Sequence, residues 1–405
     1  MRQAFIKSAC FCGIGVWLTA GQAVADPPPE AVPVPTTDAV SAMMVGLSEG
    51  VTLAGYAEVH YGHDSNQPKG GLTLLRAFDQ RSDTFTVDNA VLDVAWQKGP
   101  VQGRVALQVG ATASAYYRAE GTQPGIGVNA ASNGTLWQNI QQAWLGYKIN
   151  DAGTWSAQAG LFMSSIGPEV IAVKDNWNWS RSDLFTFLPA YHAGVKLNWQ
   201  ATQAFSLTAM VCNGWNAAVD NNDSKSVQVQ GQWTSEKVQA GLLYMGGNER
   251  DPNAKEGAPW RHLGDAWATW QVAEHFWLMG HLNGGAEVTN QGTATWFGVA
   301  LYVKAQLAER WFVAIRGDTL GEQVATDTSG VSSDPFLIPV KRVSSATLTL
   351  DWRPATFLLL RAEGRGDMSD GNGFIAGTPD YNAAGAPIPN SGKRLSAMLG
   401  ATSWF

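Results

Sequence analysis

Apolar residues in this chain recur at every second position without running together. Beyond residue 25 there is no stretch of 18 consecutive apolar residues. A bilayer-spanning helix takes about 20, so a helical membrane protein is excluded. What remains is the pattern of β-strands with two unlike faces. From Val101 to Val109 the odd positions are apolar or small, and Gln102, Arg104 and Gln108 project the other way. Trp155 to Leu161 repeats the pattern, as does Ser226 to Trp233 with Gln228, Gln230 and Gln232. A soluble sandwich would turn the apolar face to its core and the polar face to water. A membrane barrel reverses the meaning, with apolar side chains in lipid and polar ones in a watery lumen.

Composition favours the barrel. Only 15% of residues are charged, where a soluble protein carries about a quarter. There are 18 tryptophans and 44 glycines, suiting lipid–water interfaces and crowded turns. Trp96, Trp155, Trp199, Trp233, Trp270, Trp311 and Trp352 fall at or near the ends of alternating runs, where an interfacial girdle belongs. The alternative use of such a set is carbohydrate stacking in a lectin. About sixteen runs can be placed, from 51–61 through 394–405, and an even number brings both chain ends to one side. Tight links at Asp151 to Thr154 and Trp352 to Ala355 contrast with long polar stretches at 113–138, 247–261, 321–342 and 367–393. The expected fold is all-β: a transmembrane, antiparallel up-and-down barrel of about 16 strands occupying 51–405.

The first residues read as an export signal. Arg2 and Lys7 precede an apolar stretch through Leu18, and Ala23-Val24-Ala25 is a small-residue cleavage site, so that cleavage falls between Ala25 and Asp26. Residues 26–50 begin with five prolines, from Pro27 to Pro35, and read as an extended periplasmic segment. Past the cleavage site only Cys212 remains, so no internal disulfide can form. The last strand alternates and closes on Phe405. That ending resembles the signal by which outer-membrane barrels engage their assembly machinery. Ser403 departs from it, since an apolar residue is usual two positions before the end.

Short motifs in constant order extend the likeness. They are Gly167-Pro168-Glu169, Asn176, Ser180-Arg181-Ser182, Leu184-Phe185, Pro189, His192 and Gly194. Asn213-Gly214-Trp215-Asn216, Gly298 to Tyr302, Arg316 with Asp318, and Arg361, Glu363 and Arg365 follow. In these the chain resembles the OmpL-like β-barrel porins over roughly 50–405. The resemblance implies an outer-membrane barrel with a porin-like role and leaves the solute undefined. The run Asn176-Trp177-Asn178-Trp179 is more aromatic than the family pattern leads one to expect.

Residues 165–190 are the least strand-like stretch. Glu169, Lys174, Asp175, Arg181 and Asp183 lie there among Trp177, Trp179, Phe185, Phe187 and Tyr191. A long loop folded into a barrel narrows it, and opposed charges there set up a field across the opening. Arg181 and Lys174 are therefore expected to face Glu169, Asp175 or Asp183. An ordinary outer loop with solvated charges is the alternative. On the wall, alternation turns Glu58, His60, Arg104, Lys196, Arg316, Asp318, Arg361, Glu363 and Arg365 to the lumen. Placing Arg or Lys in lipid would cost roughly 2–4 kcal/mol each near the midplane. Wall charges of this kind more often pair and hydrate than select a solute.

The net charge of −7 with no basic stripe excludes nucleic acid as a partner. No metal-binding, phosphate-cradling or nucleophile-elbow motif is present, so neither cofactor nor enzymatic activity is expected. Asp367, Asp370 and Asn372 could ligate calcium but read better as a polar loop. Three functions compete. A porin passing small hydrophilic solutes fits best, ahead of a surface adhesin or receptor and of a hydrolase using His60, His192 or His281. Partners would be outer-membrane lipid, the assembly machinery, the solutes and further copies of the barrel, whose number the sequence does not define. If the cleavage site is read correctly, protein from the envelope begins at Asp26, and an intact mass that retains Met1 would remove the export reading.

Overall fold

The computed structural model describes residues 50–117, 120, 137–220, 222, 224–251, 253–336, 338–383 and 385–405. The export signal, its cleavage site, the proline-rich segment and most of 113–138 lie outside the described residues.

Sixteen antiparallel strands form one closed barrel in which each strand pairs with its neighbours in sequence and the first pairs with the last. They are β1 (Val51–Asp64), β2 (Thr84–Lys98), β3 (Val101–Val109), β4 (Ile140–Lys148), β5 (Trp155–Met163), β6 (Tyr191–Gln200), β7 (Phe205–Cys212) and β8 (Ser226–Thr234). The second half runs β9 (Val238–Asn248), β10 (Trp260–Ala273), β11 (Phe276–Thr289), β12 (Gly292–Ala308), β13 (Trp311–Gln323), β14 (Arg342–Ala355), β15 (Leu358–Ser369) and β16 (Lys393–Trp404). Every expected run is a strand. The expected run at 101–112 ends early, because Gly110 takes φ 127° and the chain continues as the short helix α1 (Ala111–Tyr116). The link expected at Trp352 to Ala355 falls at 356–357, since β14 continues to Ala355.

At one end the connections take two to six residues, and both β1 and β16 begin or finish there. At the other end all but one are long, the exception being the two-residue link between β11 and β12. The wall is uneven. Strands β3 to β8 have 8–10 residues each, whereas the other ten have 11–17. A tilted membrane strand needs about 9–11, so the long strands rise past the low side, where the segment between β5 and β6 enters.

The outward face is apolar, with Leu242, Leu301, Leu307, Leu395 and Leu399 all more than 60% exposed. Such a belt is stable against lipid rather than water. All seven tryptophans named above sit at the short-turn end, and Trp155 stacks on Trp199 and Trp311 on Trp352. Phe85 and Trp260 mark the loop end.

The interior departs from a purely polar lumen. Met210, Leu243, Met245, Leu263, Trp296, Leu320 and Val343 point inward and pack with Ile166, Leu188 and Phe374 from the loops. Loops folded into a barrel mouth need an apolar surface to bury, and the wall supplies it. In Leu242-Leu243 the two faces are both apolar, so periodicity could not assign them.

Closure ends on Phe405, whose N–H donates to Gly55 O at 3.1 Å while Gly55 N–H donates to Phe405 O at 3.3 Å. Ser403 faces outward, and its hydroxyl is satisfied by Phe357 O at 3.0 Å. The other β1–β16 pairs, from Tyr56 opposite Trp404 to Asp64 opposite Ser396, do not need Phe405. Deleting Phe405 should therefore lower, not abolish, the heat-modifiable folded form seen on gels of unboiled samples. Full loss or no change would each contradict this.

Candidate functional site

Residues 164–190 leave the end of β5, cross the interior and return to β6, with Ser164 N–H bonded to Ala190 O at the neck. The segment touches most of the circumference. Gln228 and Gln230 of β8 hold Ser165. Gly167 N–H donates to Asp265 of β10 at 3.0 Å, and His281 of β11 holds the other oxygen of that carboxylate at 2.6 Å. Gly167 has φ 77°, and a side chain there would strike the His281 ring. Trp177 packs among Trp277, Met279, Ala300, Tyr302 and Ala314. Trp179 lies against Gly400 of β16, where any larger residue would displace the indole.

An irregular backbone inside a barrel must find partners for its N–H and C=O groups. Charged wall side chains provide them. Arg316 of β13 donates to the carbonyls of Ser180 (2.5 Å) and Arg181 (3.1 Å). Arg365 of β15 donates to Arg181 O and pairs with Asp183 at 2.6 Å. Arg361 donates to the carbonyls of Val173 and Asn176 while paired with Asp351. Carboxylates serve the N–H groups. Glu58 accepts from Val173, Glu363 from Trp179 and Ser180, and Asp318 from Asp183. Asp367 accepts from Arg76, Arg365 and Arg394, so it is committed to arginines and lies on β15 rather than in a loop.

The wall charges thus point inward as expected, but Arg316, Asp318, Arg361, Glu363 and Arg365 face the segment and are buried. The expected opposition within the segment is corrected. Arg181 does not face a carboxylate; its guanidinium donates to the carbonyls of Val170, Ile171 and Trp179 and lies against Phe78 and Phe185. Those carbonyls have no strand partner, and a guanidinium is the donor that can satisfy three at once. Glu169 caps Ser182 through its N–H and hydroxyl and pairs with Arg316 at 3.2 Å. Ser182 in turn caps the short helix α2 (Asp183–Thr186).

Three sets of charges take no part in this lock. Lys174 pairs with its neighbour Asp175 at 2.9 Å, and its ammonium lies 5.8 Å from the centre of the Trp404 ring at the short-turn end. Arg104 pairs with Asp93, four and six residues from the β2–β3 turn, and both are partly exposed. Lys196 points inward from β6, towards the polar faces of β5, β7 and β8.

One device escaped sequence reading. Between β1 and β2 the register slips, Glu58 lying opposite Asn89 and Val59 opposite Val87. The bulge turns Asp88 inward, 2.5 Å from His60. Bulges of this sort re-aim single side chains, and period 2 alone gives no signal for them.

A closed sixteen-stranded barrel with short turns at one end and a segment folded through its interior is the architecture of outer-membrane porins. The chain belongs to the family described as "Putative beta-barrel porin-2, OmpL-like", whose model matches residues 50–386. Solved barrels share the fold. OmpT of Vibrio cholerae, an outer membrane protein in a trimer form, matches with a TM-score of 0.57 at 11% identity over 88% of this chain and 99% of its own. OprB of Pseudomonas putida gives 0.54 at 14%, covering 91% and 98%. An anion-selective porin from Comamonas acidovorans gives 0.53 at 10%, covering 88% and 99%. No curated protein matches the chain.

The two kinds of charge should respond differently to removal. Arg316→Met takes the ion-pair partner from Asp318 and Glu169 and the donor from Ser180 O, so it should lower the free energy of urea unfolding in lipid by about 3–5 kcal/mol. Lys174→Met removes a partly solvated pair and should cost no more than about 1 kcal/mol.

Proposed function

We propose that this outer-membrane porin passes small hydrophilic solutes through the part of its lumen bounded by β2 to β8. The observation that carries the reading is the lopsided interior. Segment 164–190 is bound by side chains of β1, β10, β13 and β15 and meets β8 at Ser165 alone, while the short-turn half of β5 to β8 presents amides, hydroxyls and Lys196 around open space. On this reading the segment sets the width, and the partly exposed pairs Lys174–Asp175 and Arg104–Asp93 set the field that a solute meets.

Export through the periplasm and delivery by the barrel assembly machinery belong to the same proposal, as does association of several barrels. So does the absence of catalysis. His60 and His281 are each held by a carboxylate, Asp88 and Asp265. His192 meets Ser164 at 3.3 Å, but a carbonyl, Gly214 O, takes the place of the acid in a hydrolytic triad.

Single-channel recording in planar bilayers tests the proposal. Wild type should give steady ohmic steps, and excision of 168–186 should raise conductance severalfold. Arg181→Ala should destabilise the segment and give flickering steps of variable size. A proven folded barrel without any conductance would remove the porin reading and favour a surface receptor.

A further inference from the structure

Across β5 to β8 the strand register builds a grid on the lumen wall. Gln158, Lys196, Met210 and Gln228 stand opposite one another in one row, and Ser156, Asn198, Thr208 and Gln230 in the next row towards the turns. The grid lines a recess that opens into the lumen and whose lining contains no Asp or Glu.

Two polar groups in the first row lack partners. Lys196 is 6% exposed, and its ammonium lies 4.1 Å from the centre of the Phe162 ring. Among the described residues no carboxylate or other oxygen accepts from it. Every lumen arginine discussed above has a carboxylate or backbone carbonyls as acceptors. Two strands away, the side-chain oxygen of Gln228 is buried without a donor, its amide nitrogen being taken by Ser165. Strands lie about 4.8 Å apart, so the two groups start from backbone positions roughly 10 Å apart with only Met210 between them. The ammonium, which has no protein acceptor, reaches the recess, and a buried acceptor without a donor is costly to leave unmet.

Resting on the porin reading, we propose that this recess is a binding station for a hydroxylated monocarboxylate of about sugar-acid size, its carboxylate on Lys196 and a hydroxyl on Gln228. The second row extends the match. Thr208 donates to Asn198 at 3.0 Å and Gln230 to Ser165 O at 3.1 Å, which leaves the Thr208 oxygen and the second amide N–H of Gln230 to meet further hydroxyls. Phe162 and Met210 supply an apolar floor for the carbon skeleton. The absence of carboxylates from the lining keeps the site attractive to an anion and unattractive to a cation.

Calorimetric titration of the detergent-solubilised, folded barrel at low salt tests this without requiring conductance. Three probes are used: gluconate, glucose, which lacks the carboxylate, and acetate, which lacks the hydroxyls. Gluconate should bind at least about tenfold more tightly than either. Lys196→Met should erase its advantage over glucose, Lys196→Arg should restore most of it, and Gln228→Leu should narrow its advantage over acetate. Folding of each variant is checked by heat-modifiable migration. Equal affinity for gluconate and glucose, or an unchanged preference in Lys196→Met, would overturn the assignment of the carboxylate. Equal affinity for gluconate and acetate would overturn the assignment of the hydroxyls. Binding in a barrel that passes no ions would uphold the station and remove the porin reading, whereas conductance without gluconate binding would do the reverse.

Discussion

The pairing of β1 with β16 is the contact on which the rest of the structure depends. In hydrocarbon an unpaired N–H or C=O has no water to turn to, so a sheet can cross the bilayer only if it has no edge. Nine registered pairs, Tyr56 to Asp64 against Trp404 to Ser396, remove the last edge. They also set the circumference and hence the width of the interior. The outward belt and the tryptophan girdle follow from that closure, because alternation commits one face of every strand to lipid once the sheet is a cylinder.

The same demand recurs inside the barrel, where it is met differently. Segment 164–190 has too little regular structure to satisfy its own backbone. Arg316, Arg361 and Arg365 act for its carbonyls, and Glu58, Asp265, Glu363 and Asp318 for its N–H groups. Charges that look in a list like the selectivity apparatus of a channel are here the partners of an irregular chain. A guanidinium suits the role because its five donors lie in one plane and stay charged. The consequence for transport is a division of labour. The densely charged side of the lumen is locked, and the sparsely charged side, where Lys196 stands among amides, is the path we propose for solute.

Dense apolar packing at the loop end fits this division. Trp215, Trp296 and Phe336 form edge contacts there, with the Arg261 guanidinium over Trp215 and Phe336. On the low side, Tyr116, Tyr117 and Tyr191 pack with Phe78 and Ile171. These clusters join the outer loops to the segment, so the constriction and the mouth form one packed body. A change in a mouth loop can therefore reach the interior through van der Waals contact.

Much of this was legible in the amino-acid order. Sixteen alternating runs, the girdle tryptophans and the inward direction of Glu58, Arg104, Lys196, Arg316 and Arg361 follow from period 2, because a strand's geometry is local and its two faces meet different solvents. The dense charge of 165–190 likewise marked that stretch as exceptional. What Arg181, Glu169 and Asp318 do could not be read there, since Glu169 meets Arg316 and Asp318 meets Asp183 across more than a hundred residues, and the partners of Arg181 are backbone atoms that carry no sequence signal. The inward apolar side chains Leu243, Met245 and Leu263 were hidden for a related reason. Apolar residues on both faces erase the alternation, and only the loops folded over them explain their place. The sequence by itself determined a lipid-facing barrel, because hydropathy and pairing act between neighbours. Only the tertiary structure decided which charges are locked and which stand open to a solute, because that depends on where one long segment comes to rest.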